Sequence, residues 1–139
     1  MKLVKYTFAL FVLFSVIISC EKDDPEVTPD VQEDKHMDII IDSPSNGTVF
    51  PQNETLIIQG QINSNFDAHG YIVRFWNISN NDSLLFETDG HEHGENILFN
   101  ASWTNNLNDT SEVRIEVMAS SDHQGTYTEE KNLTVTCLP

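Results

Sequence analysis

From Met37 onward the chain is a succession of short runs in which apolar and polar residues alternate. Each run is closed by Asn, Asp, Gly, Ser or Pro. Alternation with period two sends successive side chains to opposite faces of a strand, and no stretch here carries the period of a helix. The runs are Met37 to Ile41, Glu54 to Ile62, Gly70 to Asn77, Ser83 to Thr88, Ile97 to Trp103, Glu112 to Ser120 and Tyr127 to Thr136. Ser43-Pro44-Ser45-Asn46-Gly47 reads as a turn, with Thr48 to Phe50 as a short extension after it. Such strands can hide their apolar sides only by stacking one sheet on another. The expectation is an all-β sandwich of about seven antiparallel strands.

The alternation also says which side chains face inward. Val113, Ile115, Val117 and Ala119 share one face, with Arg114 and Glu116 on the other. Tyr71, Val73 and Phe75 point in opposite Arg74, and Ile97, Phe99, Ala101 and Trp103 point in opposite Asn100 and Ser102. The expected core therefore includes Ile58, Val73, Phe75, Phe99, Trp103, Ile115 and Val117. Trp76 falls on the outer face, either covered by a neighbouring loop or exposed as a contact residue. Cys137 falls near the end of the last run, as a small apolar residue in or near the core.

The opening Ile40-Ile41-Asp42-Ser43-Pro44-Ser45-Asn46-Gly47-Thr48-Val49-Phe50 resembles the first strand of bacterial immunoglobulin-like modules, which often carries a Ser-Pro-x-x-Gly turn. That resemblance implies an immunoglobulin-like β-sandwich over residues 37–139. The cysteine pair of antibody domains is absent, with Ile58 and Val117 in the corresponding places. Modules of this kind bind, space or display, and the fold does not choose among these roles.

Ahead of the sandwich, Lys2 and Lys5 precede the almost wholly apolar Tyr6 to Ile18. That stretch is shorter than the roughly 20 residues a spanning helix needs. Residues 1–19 are therefore expected to be a signal peptide. Ile17-Ile18-Ser19-Cys20 resembles a bacterial lipobox, which implies that Cys20 carries acyl chains and anchors the protein in a membrane. The acidic Glu21-Lys22-Asp23-Asp24-Pro25-Glu26 resembles the surface-export signal of Bacteroidetes-type lipoproteins, which implies an outer-membrane lipoprotein facing the cell surface or the periplasm. Residues 20–36, charged and carrying Pro25 and Pro29, are expected to form a disordered tether. A lipidated Cys20 leaves Cys137 without a disulfide partner.

The formal net charge is −15. Loss of residues 1–19 makes it more negative still, because two lysines go and no acid does. A surface of that sign repels phosphate backbones, so nucleic acid is not an expected partner.

No nucleophile elbow, phosphate loop or CxxC pair is present. What stands out is Asp89-Gly90-His91-Glu92-His93-Gly94-Glu95, together with His69 and His123. In a seven-stranded sandwich the second-to-third, fourth-to-fifth and sixth-to-seventh connections lie at one end. These connections hold His69, the His91–His93 pair and His123, and the opposite-end connections hold no histidine. All four histidines also share the odd-numbered inward register of the neighbouring strands.

Imidazole suits zinc and copper(II), and no thiolate lies near in sequence. The expected site is one divalent transition metal held by His69, His91, His93 and His123. Asp67, Asp89, Glu95 and Asp122 are candidates to orient the rings or to replace one of them. The plain alternative is four solvated loop histidines. At the level of function, the first expectation is a membrane-anchored, non-enzymatic metal-binding module. The second is an adhesion, glycan-binding or spacer module without metal.

Overall fold

The computed structural model describes residues 34–139. The signal peptide at 1–19, the lipidation site Cys20 and the tether up to residue 33 lie outside the described residues. Eight strands follow in order: β1 Met37–Ser43, β2 Val49–Phe50, β3 Thr55–Ala68, β4 Gly70–Asn77, β5 Ser83–Gly90, β6 Gly94–Thr104, β7 Ser111–Ser120 and β8 Thr128–Cys137. They form two sheets, β1-β3-β6 and β2-β8-β7-β4-β5. All pairings are antiparallel except the short β2–β8 contact, where Val49 and Phe50 run alongside Thr136 and Cys137. This is an immunoglobulin-like β-sandwich, and the extension after the first turn is the strand that crosses to the second sheet.

The inner faces are those the alternation predicts. Ile58, Val73, Phe75, Ile115 and Val117 are fully buried, and Phe99 and Trp103 nearly so. The two sheets are joined by aromatic contacts, with Phe75 of β4 edge-on to Trp103 of β6 at 5.7 Å and Tyr71 beside Phe99 at 5.8 Å. Burying each such side chain contributes roughly 1.5–3 kcal/mol relative to leaving it in water. Gly60 pairs with Phe99 across β3 and β6, and a Cβ there would lie 2.5 Å from the Phe99 ring. Glycine at that place leaves room for the ring in the core. Cys137 is fully buried at the end of β8, and burial pushes its thiol pKa up.

Trp76 is half-buried on the outer face of the second sheet. Its cover is a side chain rather than a loop: the Arg114 guanidinium lies 5.9 Å from the ring centroid and reaches Asp82 at 3.6 Å. On the same face Arg74 bridges Glu87 at 2.6 Å and Glu116 at 3.1 Å, tying β5, β4 and β7 together.

Several strands run further than the alternation indicates, β3, β5 and β6 the most at the histidine end. β3 continues past Ile62 to Ala68 through Asn63-Ser64-Asn65, a polar stretch that reads locally as a turn. Tertiary pairing overrides that preference. Met37 and Asp38 pair with Ser64 and Asn63, and the Asn65 amide donates to the Asp34 carbonyl at 3.0 Å. The His36 N–H donates to the Asn65 side-chain oxygen at 2.8 Å, so the chain is tied to the sandwich from Asp34 onward. β5 and β6 likewise extend to Gly90 and from Gly94, which leaves only residues 91–93 between them.

Candidate metal centre

At one end of the sandwich the chain passes between the sheets twice. β3 belongs to the first sheet and β4 to the second, and His69 alone links them. Its neighbours are fixed on both sides, Ala68 opposite Gly94 and Gly70 opposite Ser120. The His69 N–H donates to the Ser120 carbonyl at 2.8 Å. Gly70 has φ +133°, and a Cβ there would lie 2.5 Å from the Gly90 carbonyl oxygen. Only glycine permits so abrupt a turn against the end of β5. The second crossing is His91-Glu92-His93, closed by Gly94 at φ +142°.

His123 comes from the β7–β8 connection, which is built around Asp122. One carboxylate oxygen of Asp122 accepts the N–H groups of Gln124 at 2.9 Å and Thr126 at 3.0 Å. The other accepts the Ser121 hydroxyl at 3.3 Å. Hydrogen bonds from the Thr126 backbone and hydroxyl, then from Ser121 and Gln124, hold the Asp122 pKa down at about 2. The loop is thereby fixed with His123 directed back at His69.

The four rings form one group with His69 at its centre. Ring centroids lie 4.5 Å from His69 to His91, 4.3 Å to His93 and 3.9 Å to His123. His91 and His123 stack nearly parallel, 14° apart at 5.1 Å. The Nδ1 atoms of His69 and His93 are 3.2 Å apart, and the Nε2 atoms of His69 and His123 are 2.8 Å apart. Ring nitrogens of His69, His91 and His93 all lie within 4.8 Å of one another. His69 is half-buried and the other three are exposed. Loss of water around His69, then the neighbouring His123, His93 and His91, lowers its pKa, with Asp122 opposing in part. These effects favour the neutral ring, the form that ligates metal.

The four carboxylates singled out from the sequence are placed differently from one another. Asp67 lies 3.9 Å from His93 Nδ1. Asp89 lines a cavity of about 410 Å³ together with His69, His91, His123, Ile72 and Met118. Asp122 lines the same cavity, with both of its carboxylate oxygens bonded into its own loop. Glu95 is exposed on β6 and makes no hydrogen bond to the four rings among the described residues. The role of Ser121 and Thr126 was missed in the sequence. The signal was there in Asp122 followed by Gly125 and Thr126, residues that suit an aspartate-capped turn.

No family model matches the chain, and no curated protein matches it. A solved structure does: the CARDB domain of a Pyrococcus furiosus protein, crystallised in complex with di-metal ions. It is 14% identical, covers 75% of this chain and 89% of its own, and superposes with a TM-score of 0.50. The likeness is one of fold. It agrees with the immunoglobulin-like sandwich described above, and the chemistry at the histidine end is read from this chain's own residues.

Zinc takes imidazole nitrogens at about 2.0–2.1 Å, so ligands around one ion sit roughly 3–4 Å apart. The spacing of the His69, His91 and His93 nitrogens needs only small side-chain rotations to meet that. The alternation of rings at His91 and His93 supplies a chelating pair, with Glu92 between them exposed to solvent.

Proposed function

We propose that this protein is a membrane-anchored, surface-exposed lipoprotein whose immunoglobulin-like domain binds a divalent transition metal without catalysing a reaction. His69, His91 and His93 hold the ion, zinc or copper(II), with His123 beside them. The observation that carries the reading is the convergence of these imidazole nitrogens from separate connections within 4.8 Å. An all-nitrogen donor set suits zinc and copper(II) over softer ions. The non-catalytic part is supported by the exposure of His91, His93 and His123, because so shallow a site offers little to exclude bulk water or to position a substrate. The anchoring is supported by Lys2, Lys5, the apolar Tyr6 to Ile18 and Ser19-Cys20. Two or more acyl chains on Cys20 give stable anchoring where one is marginal. The complex of the Pyrococcus furiosus domain with di-metal ions is a property of that protein and is in keeping with the reading.

Calorimetric titration of the purified protein with zinc and with copper(II) at neutral pH tests it. Saturable binding is expected in the native chain, with strong weakening in the His91→Ala/His93→Ala double variant. No saturable binding, or binding unchanged in the double variant, would leave an adhesion or spacer module as the reading.

A further inference from the structure

We infer that the histidine cluster holds two metal ions joined through the ring of His69. The inference rests on the metal-binding reading above and deepens it. The two nitrogens of an imidazole direct their lone pairs out of opposite parts of the ring, so one ion can take one of them and not both. In His69 both are engaged, and by different partners. Nδ1 faces His93 Nδ1 at 3.2 Å, and Nε2 faces His123 Nε2 at 2.8 Å. Two ligand nitrogens on one tetrahedral zinc are about 3.3 Å apart, given bonds of about 2.0–2.1 Å. The His69–His93 spacing is close to that of a ligand pair, and the His69–His123 spacing reaches it by a small rotation of the exposed His123. His93 and His123 cannot both join His69 on the same ion.

A chain of hydrogen bonds between neutral rings could satisfy the same contacts. Exposed hydrogen bonds of that kind compete with water and contribute little to holding four rings together. The surroundings favour cations instead. Asp67 lies 3.9 Å from His93 Nδ1 on one side, and Asp89 and Asp122 line the cavity on the other. The first ion has His69 Nδ1 and His93 as donors. The second has His69 Nε2 and His123, and faces the cavity of about 410 Å³. His91, with its ring 5.2 Å from His93 and 5.1 Å from His123, can complete either set.

The first ion takes the ring nitrogen of His69 that carries no proton. When the second ion binds, the remaining ring N–H bond breaks, the new metal–nitrogen bond forms on the freed pair, and one proton passes to solvent. The ring is then an imidazolate shared by both ions.

The test is titration of the purified full chain with copper(II) chloride at neutral pH, followed by native mass spectrometry and electron paramagnetic resonance. Two coppers per chain are expected. The resonance signal should rise with the first equivalent and fall with the second, because a shared imidazolate couples the two unpaired electrons. His123→Ala, a change at an exposed loop residue, should hold one copper with its full signal. His36→Ala, at the one other described histidine, should still hold two. One copper in the native chain, or two whose signals simply add, would overturn the shared ring while leaving the metal reading standing. No bound copper or zinc would overturn the metal reading itself.

Discussion

Nε2 of His69 lies 2.8 Å from Nε2 of His123, although 54 residues separate them in sequence. The link between them is made by the pairing of β4 with β7. That pairing places Gly70 opposite Ser120 and lets the His69 N–H bond the Ser120 carbonyl. Three residues beyond Ser120, the Asp122-centred turn returns His123 to the same spot. The cluster is thus a property of the sandwich corner, where His69 carries the chain from one sheet to the other.

Asp122→Ala removes the acceptor that holds Gln124, Thr126 and Ser121. The strands should persist, so the far-ultraviolet circular dichroism should stay that of a β protein. Affinity for zinc or copper(II) should fall by about 10–100-fold, the usual cost of removing a group that orients a ligand. Calorimetric titration of the variant checks this.

The metal-free protein should lose thermal stability as pH falls below about 6.5. The His69 pKa is lowered in the folded state by loss of water and by three neighbouring imidazoles. The unfolded chain therefore binds its proton at higher pH than the folded one. Stability from this group is fully present above the unfolded value and is lost as pH falls through the folded one. Metal binding should weaken over the same range, because protons compete for the same nitrogens. Melting curves between about pH 8 and pH 5, the range over which histidine titrates, should show a shallower decline for His69→Asn than for the native chain.

The sandwich was legible in the sequence because burial on one face leaves a period-two record. The inward sets read from β4, β6 and β7 are those the structure packs into the core, with Tyr71 at the start of β4 only half-buried. The grouping of the histidines at one end was legible too, since strand order and antiparallel direction alone place three connections together. The extent of the strands was not. Asn63 to Asp67 has turn-forming residues, and it becomes strand through pairing with β1 on one side and β6 on the other, together with the bonds of Asn65 to Asp34 and His36. The division of His69 between two partners was not legible either. It depends on ring orientations that no spacing rule fixes. The carboxylates were singled out by proximity in sequence, which could not distinguish Asp122, bound into its loop, from Asp67, close to His93.

Phe99→Ala should destabilise the domain by about 3–5 kcal/mol, the usual cost of deleting a buried aromatic ring. Phe99 is almost wholly buried, lies over Gly60 and contacts Tyr71. Denaturant unfolding followed by tryptophan fluorescence measures the loss. A change below about 1 kcal/mol would contradict the packing described here.

Cys20→Ala should abolish acylation and leave an unprocessed or soluble form. Membrane fractionation with metabolic labelling by a fatty acid reads this directly. A variant that still fractionates with membrane like the native protein, with its signal still cleaved, would contradict lipid anchoring.

The most direct test of the central claim is a crystal structure of the zinc-loaded protein with anomalous diffraction recorded at the zinc edge. An anomalous peak about 2.0–2.1 Å from a ring nitrogen of His69, with further imidazole ligands from the His91–His93 connection, is the predicted result. Zinc bound only at scattered surface carboxylates, with no peak at the four rings, would contradict it.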